Sequence, residues 1–277
     1  MSADDQRTAA AFATSWNNLP AGSVYTPAQV ADWFAPLTKD DVRGRRVLEM
    51  GCGNGSLMVH VLSWSPAQLD GIDLGESVES ARANLSALGR PNWRVEQADL
   101  TTYVGGGHDV VYSIGVLHHL QDPHAGFESV VRNTRPGGRF HCWVYAREGN
   151  GVVILLVEPM RRIASHLPWW ITKYFVATPA VVPYFFYAKA LAALPRWKWL
   201  RGLPLYEYSL WIGQREFAFF RHVAFDQLVT PRTTYLARET LERWLASRRD
   251  VEAASTYVTM RNGNSWKFGG IKRKEGP

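Results

Sequence analysis

Three glycines at alternate positions, Gly51, Gly53 and Gly55, follow an apolar run that carries an acid, Val47-Leu48-Glu49-Met50, and a helical pattern begins directly after them. Glycine lets a backbone turn tightly and approach a ligand closely. A helix starting near Gly55 points unpaired N–H groups at that ligand. The stretch therefore reads as a strand, a main-chain grip and a helix. The spacing G-x-G-x-G is one residue shorter between the last two glycines than the dinucleotide fingerprint. No Gly-Lys-Ser/Thr of a phosphate loop accompanies it. Taken alone, the glycines also fit a tight strand-to-helix turn with no ligand.

Four further segments extend the pattern. Leu69–Leu74 is a short strand ending in Asp73, 18 positions past Gly55 and close to the ~20-residue offset at which an acid meets a ribose in nucleotide folds. Trp93–Leu100 is a third strand that ends in Asp99, and Asp109–Leu120 is a fourth that runs into a loop containing His118 and His119. Pro136-Gly137-Gly138 turns into a fifth strand at about 138–145. Helices fit between them: Thr26-Pro27 opens one with Val30, Trp33 and Phe34 on its apolar face, Val78, Ala81, Leu85 and Leu88 line another, and Asp122-Pro123 starts a third. Ala11, Phe12, Ser15 and Trp16 sit at helical spacing nearer the N-terminus. Near the C-terminus, Arg238–Arg248 has a helical pattern, and two strand-like runs, 254–261 and 265–271, flank Asn262-Gly263-Asn264, a hairpin signal. Alternating strands and helices with near-continuous apolar strands imply a parallel sheet covered on both faces.

This ordered set, covering roughly residues 40–145, resembles the class I S-adenosylmethionine-dependent methyltransferases. The closest similarity is to the branch with Val116-Leu117-His118-His119-Leu120 after strand four, which includes ubiquinone and menaquinone biosynthesis enzymes and other small-molecule methyltransferases. The resemblance implies an α/β fold: a Rossmann-like seven-stranded, mostly parallel sheet with a C-terminal antiparallel hairpin and a helical insertion. The expected division is an N-terminal helical cap (1–40), a cofactor-binding core (41–148 and 226–277) and an insertion (149–225). It implies S-adenosyl-L-methionine as cofactor and no metal. Gly51, Cys52, Gly53, Asn54 and Gly55 would hold the methionine part, Asp73 both ribose hydroxyls, Leu74 the adenine face and Asp99 the adenine amine, with Glu49, Leu100, Ser113 and Gly115 also at the cofactor. A carboxylate suits such roles because it accepts two hydrogen bonds side by side. His118 and His119 are the candidate bases, since imidazole titrates near neutrality; a structural or cofactor-contact role for the pair is the competing reading. Trp16, Tyr25, Tyr145, Arg221, His222 and Tyr235 are candidate acceptor-site residues. Ser113-Ile114-Gly115-Val116 differs from the Asn/Asp-Pro-Pro-aromatic pattern of nucleic-acid amino-methyltransferases and argues against an exocyclic base amine as acceptor.

The net charge of +6 is not evenly spread. Residues 151–221 hold nine Lys/Arg against three acids, so that segment accounts for all of it. It also carries five of the twelve tryptophans, and Arg196-Trp197-Lys198-Trp199-Leu200-Arg201 is its most concentrated piece. Three readings fit: a lid whose aromatics cover the active site, an interfacial membrane surface, and a nucleic-acid face. The uncharged run Tyr174–Tyr187 within that segment is short of a span and contains Pro179 and Pro183, so no transmembrane helix is expected. Two cysteines without metal-type spacing and a polar N-terminus suggest a cytoplasmic protein. The expected function is methyl transfer to a small apolar or aromatic acceptor at O, C or N. A tRNA-modifying methyltransferase and a cofactor-binding module without turnover are the alternatives.

Overall fold

The computed structural model describes residues 6, 9, 10 and 25–274. Ala11, Phe12, Ser15 and Trp16 lie outside the described residues.

Seven strands form one sheet in the order β3-β2-β1-β4-β5-β7-β6. They are β1 (Arg46–Met50), β2 (Gln68–Asp73), β3 (Trp93–Gln97), β4 (His108–Ile114), β5 (Thr134–Tyr145), β6 (Tyr257–Arg261) and β7 (Ser265–Ile271). The first five are mutually parallel, while β7 runs antiparallel to both β5 and β6. The β6–β7 turn is Asn262-Gly263, with both residues at positive φ, the conformation a tight hairpin of this type requires. The strand order reverses between β1 and β4, where a crevice opens beyond the carboxyl ends of the strands.

Side-chain alternation along the strands builds two cores. Val47, Leu69, Val110 and Tyr112 pack on one face with α1 (Pro27–Phe34), α3 (Ser56–Ser63) and α4 (Ser77–Ser86). The short α2 (Lys39–Val42) adds Val42 to the same core. Leu48, Met50, Val111 and Phe140 pack on the other face with α5 (Pro123–Asn133) and α10 (Arg238–Ser247). Each fully buried Leu or Phe contributes about 1.5–3 kcal/mol. α1 begins as its sequence indicates, with Thr26 and Gln29 forming a reciprocal cap and Pro27 in the first turn. His141 in β5 then holds α1 to the sheet: its Nε2 lies 2.8 Å from the Trp33 carbonyl oxygen and its Nδ1 2.7 Å from the Tyr257 hydroxyl.

Between β5 and α10 the chain is mainly helical. α6 is Gly151–Ala164, α7 is Trp169–Ala193, α8 is Tyr206–Ile212 and α9 is Phe217–Val229. α9 packs against α6 and α7, and α8 against α7. α9 continues four residues past position 225, so the helical segment ends at Val229. Pro179 and Pro183 do not break α7, contrary to the sequence expectation. A π-helical turn over Thr172–Ala177 shifts the hydrogen-bond register just before Pro179, and the Thr178 hydroxyl takes up the Lys173 carbonyl. The resulting helix of 25 residues is long and apolar enough to cross a membrane by length and composition, although it packs against its neighbours here.

Candidate active site

The turn after β1 is held open by backbone geometry. Gly51, Gly53 and Gly55 have φ of +89°, +52° and +76°, in the left-handed region that favours glycine. Gly51 has a second constraint, because a Cβ there would overlap the Val116 side chain. The N–H groups of Gly51 and Cys52 donate to the Ile72 carbonyl (2.8 and 2.9 Å), which ties the turn to the end of β2. Asn54 Oδ1 accepts from Ser56 N two residues on, in the turn that leads into α3.

Asp73 organises this loop. Its Oδ2 accepts from Gly53 N at 2.8 Å, and its Oδ1 accepts from Gly75 N at 2.9 Å and Ser77 Oγ at 3.3 Å. Burial nevertheless raises its pKa, against the pull of these donors. Glu49 is almost fully buried one strand away. It accepts from the Tyr112 hydroxyl at 2.8 Å, its parallel partner on β4. Burial drives the Glu49 carboxyl up to about 8, the Tyr112 hydrogen bond opposes that, and the Asp73 charge adds to it.

A cavity of about 140 Å³ lies over this loop. Glu49, Gly51, Cys52, Gly53, Asn54, Asp73, Leu74, Leu100 and Gly115 line it. Gly55, Asp99 and Ser113 do not. Asp99 Oδ1 is engaged by Thr101 N and Oγ1, and the Ser113 hydroxyl donates to the Met50 carbonyl inside the sheet. Ser77 and Leu57 also line the cavity and were not singled out by the sequence, and Val116, named there only as part of the motif after strand four, lines it too; Ser77 lies four positions past Asp73, where a helix start could have suggested it.

A second cavity, of about 430 Å³, extends beneath α6–α9 and shares Tyr25, Leu57, Ile114, Gly115 and His119 with the first. Tyr145, His222 and Tyr235 line it, as do Trp33, Trp143, Asp226 and Gln227. Arg221 does not: its guanidinium lies over the Tyr174 ring. Trp143 and Tyr145 alternate on β5 and so share a face, the one signal that could have located Trp143. His222 Nε2 lies 3.3 Å from Asp226 Oδ2, one helical turn away on α9. The indole N–H groups of Trp33 and Trp143 are buried with no hydrogen-bond partner among the described residues, a costly state for a polar group.

The two adjacent histidines are placed differently. His118 is fully buried, lines neither cavity, and has no hydrogen-bond partner at either ring nitrogen among the described residues. It packs against the rings of His119 and Tyr145, and burial holds its pKa well below the usual value. His119 lines both cavities. Its Nδ1 donates to the Arg232 carbonyl at 3.0 Å, which leaves Nε2 as the unprotonated nitrogen of the neutral ring. Burial lowers its pKa to about 3. It is an uncharged hydrogen-bonding group across the neutral range.

Comparison with known proteins agrees with this geometry. A family model described as a methyltransferase domain matches residues 48–140. A ubiquinone biosynthesis O-methyltransferase of Bordetella avium is 32% identical over 117 residues, 41% of this chain and 46% of that one. A tRNA U34 carboxymethyltransferase of Idiomarina loihiensis is 30% identical over 138 residues, 47% and 42% of the two chains. The match thus spans less than half the length of either relative. A magnesium protoporphyrin IX methyltransferase from Synechocystis, solved with bound SAH, shares the fold at 15% identity and a TM-score of 0.50, covering 89% of this chain and 81% of that one.

Proposed function

We propose that this chain, whose residues 48–140 match a methyltransferase domain, is a class I S-adenosylmethionine-dependent methyltransferase that methylates a small apolar or aromatic acceptor held in the larger cavity. The observation that carries this is the shared wall of Tyr25, Leu57, Ile114, Gly115 and His119, across which a donor in the small cavity and an acceptor in the large one would meet.

The residues fit the cofactor. Asp73 lines the small cavity; its Oδ2 keeps a lone pair beyond the Gly53 N–H it already serves, and its Oδ1 gains one if the 3.3 Å contact from Ser77 Oγ yields, so the carboxylate can accept the ribose hydroxyls. Leu74 and Leu100 offer apolar surface to the adenine, and Glu49 offers a carboxyl near a cationic methionine moiety. Asp99 reaches the adenine amine in this proposal only through a change in its turn with Thr101. Bound S-adenosylmethionine supplies the activated methyl group. The chain's own task is to align the acceptor, exclude water and, for a hydroxyl, accept its proton.

His119 fits a positioning role, because it lines both cavities as a neutral imidazole. The His222–Asp226 pair is the candidate to receive an acceptor hydroxyl's proton by its position: both residues line the large cavity, with His222 Nε2 3.3 Å from Asp226 Oδ2. Trp33 and Trp143 add aromatic surface to the same cavity. Val153, Val157, Met160 and Phe220 give the cavity an apolar wall, so helices α6–α9 act as its lid. Such a wall favours a small molecule over a nucleotide, whose phosphates are costly to desolvate. The unpaired thiols of Cys52 and Cys142 suit a reducing cytoplasm.

Transfer of labelled methyl groups to a panel of apolar phenols and catechols tests this reading. Turnover that falls in Asp226→Asn while S-adenosylhomocysteine affinity holds is the expected result. Methylation of bulk tRNA with none of any small acceptor overturns it.

A further inference from the structure

The helical unit turns part of its apolar surface outward. Among the described residues, every exposed large apolar side chain except Leu88 and Val104 lies between positions 152 and 199. They are arranged along helix faces. On α6, Val152, Leu155, Leu156, Pro159 and Ile163 recur at three- and four-residue steps, and all are exposed. On α7 and just beyond it, Phe175, Pro179, Pro183, Phe186, Ala190 and Leu194 do the same. A water-facing helix surface is normally polar, so these stripes are inverted.

Charge identifies the partner. Residues 159–206 contain seven Lys/Arg and not one Asp or Glu. Arg161 is spent inside the fold, but Arg162, Arg196, Lys198 and Arg201 are exposed. Trp169, Trp170, Trp197 and Trp199 are exposed beside them. Tryptophan and cations interleaved around an apolar stripe match the boundary between headgroups and acyl chains of an anionic bilayer. The cavity adds an independent observation. Val152 and Leu156 belong both to its wall and to the exposed stripe of α6, so the acceptor cavity reaches the surface within this apolar face.

We propose that α6, α7 and the Arg196–Arg201 turn dock on an anionic membrane surface, and that the cavity takes its acceptor from the bilayer as an amphiphile with a long apolar tail. The buried faces of α7 pack on α8 and α9, so the helix lies in the interface rather than crossing it. The acceptor half of this inference rests on the reading of the large cavity given above; the docking half does not.

Sedimentation of the full chain with vesicles tests it. The protein should pellet with mixed phosphatidylcholine and phosphatidylglycerol vesicles, less at high salt, and weakly with phosphatidylcholine alone. Replacing Phe175, Trp197 and Trp199 by Ser, all outside the cavity wall, should weaken vesicle binding about ten-fold and leave S-adenosylhomocysteine affinity unchanged, which confirms folding. Failure of the wild type to pellet with anionic vesicles at low salt overturns the docking surface, as does equal pelleting of the triple variant. In parallel, methyl transfer is measured to a short-chain catechol in buffer and to a long-chain alkylcatechol in vesicles. Faster turnover of the long-chain probe in anionic than in neutral vesicles supports delivery from the bilayer; equal turnover in both overturns it. Vesicle binding with neither catechol methylated keeps the docking surface and overturns the acceptor reading.

Discussion

Arg161 on α6 donates through Nε to the backbone carbonyl oxygen of Gln227 on α9 at 2.6 Å. Its side chain is 1% exposed, and the rest of the guanidinium is used by the Gln227 side chain and both oxygens of Glu158, each at 2.8 Å. The contact joins two helices that wall the larger cavity. It also explains how a buried cation is tolerated so close to apolar side chains: its donors are met in a fork geometry that lysine could not reproduce.

Arg161→Ala should therefore loosen the helical unit more than the sheet. Breaking a buried, hydrogen-bonded charge pair costs about 3–5 kcal/mol. Hydrogen exchange should accelerate in α6 and α9 and change little in β1 and β4. Unchanged exchange in α6 would mean that the apolar contacts alone hold it.

Asp73 serves the loop and the cofactor together. Asp73→Ala should weaken S-adenosylhomocysteine binding by about 1.5–3 kcal/mol, the scale of hydrogen bonds to a charged group. It should also lower thermal stability, because Gly53 N and Gly75 N lose their acceptor. Ser77→Ala removes only the 3.3 Å contact and should do much less. Calorimetry that finds equal affinity in Asp73→Ala and wild type removes Asp73 from the cofactor site.

Glu49 makes stability and binding depend on pH in opposite directions. Its pKa moves from 4.5 in the unfolded chain to about 8 when folded. Between those values the unfolded state has lost the proton and the folded state keeps it, so stability of the cofactor-free protein falls as pH rises through the window. Glu49→Gln should gain in melting temperature relative to wild type across the same range. A cationic cofactor favours the ionised carboxyl, so S-adenosylmethionine binding should release a proton and tighten with pH. Calorimetry in buffers of different ionisation heat reads that release; no proton release at neutral pH would disprove the coupling.

The buried histidines act at the acid end. His119 and His141 are depressed to about 3 and about 4, and His118 lies well below the usual 6.5. Desolvation is the leading cause in each case. As pH falls below 6.5 the unfolded chain gains protons that the folded chain refuses, so stability declines, at about 1.4 kcal/mol per pH unit for each fully refused proton. His141→Gln should flatten that decline, provided the amide keeps a hydrogen bond to the Trp33 carbonyl. A melting temperature that stays level from pH 6.5 down to 4 would rule the account out.

The loop after β1, the acid at the end of β2, the Thr26 cap and the Asn262-Gly263 hairpin were all legible from residue order. Each depends on local chemistry: a glycine's φ, a cap three residues away, a strand's alternation. The same holds for the cofactor family, because its motif is a string of strand ends. Other features belong to the folded chain alone. Packing sets His118 in the core and His119 against both cavities, although the two are neighbours in sequence with the same chemistry. Trp33 from α1, Trp143 from β5 and Asp226 from α9 line one cavity although they stand more than 80 residues apart in sequence, and the two indole rings come within 6.2 Å of each other. The segment that holds α6 and α7 reads from sequence equally as a lid, an interfacial membrane surface or a nucleic-acid face. Which face turns inward is decided by α8 and α9, which occupy one side of each helix and leave the other to the surroundings. Periodicity records that a helix has two faces; the partner that covers one of them is a long-range contact, and no short window of sequence contains it.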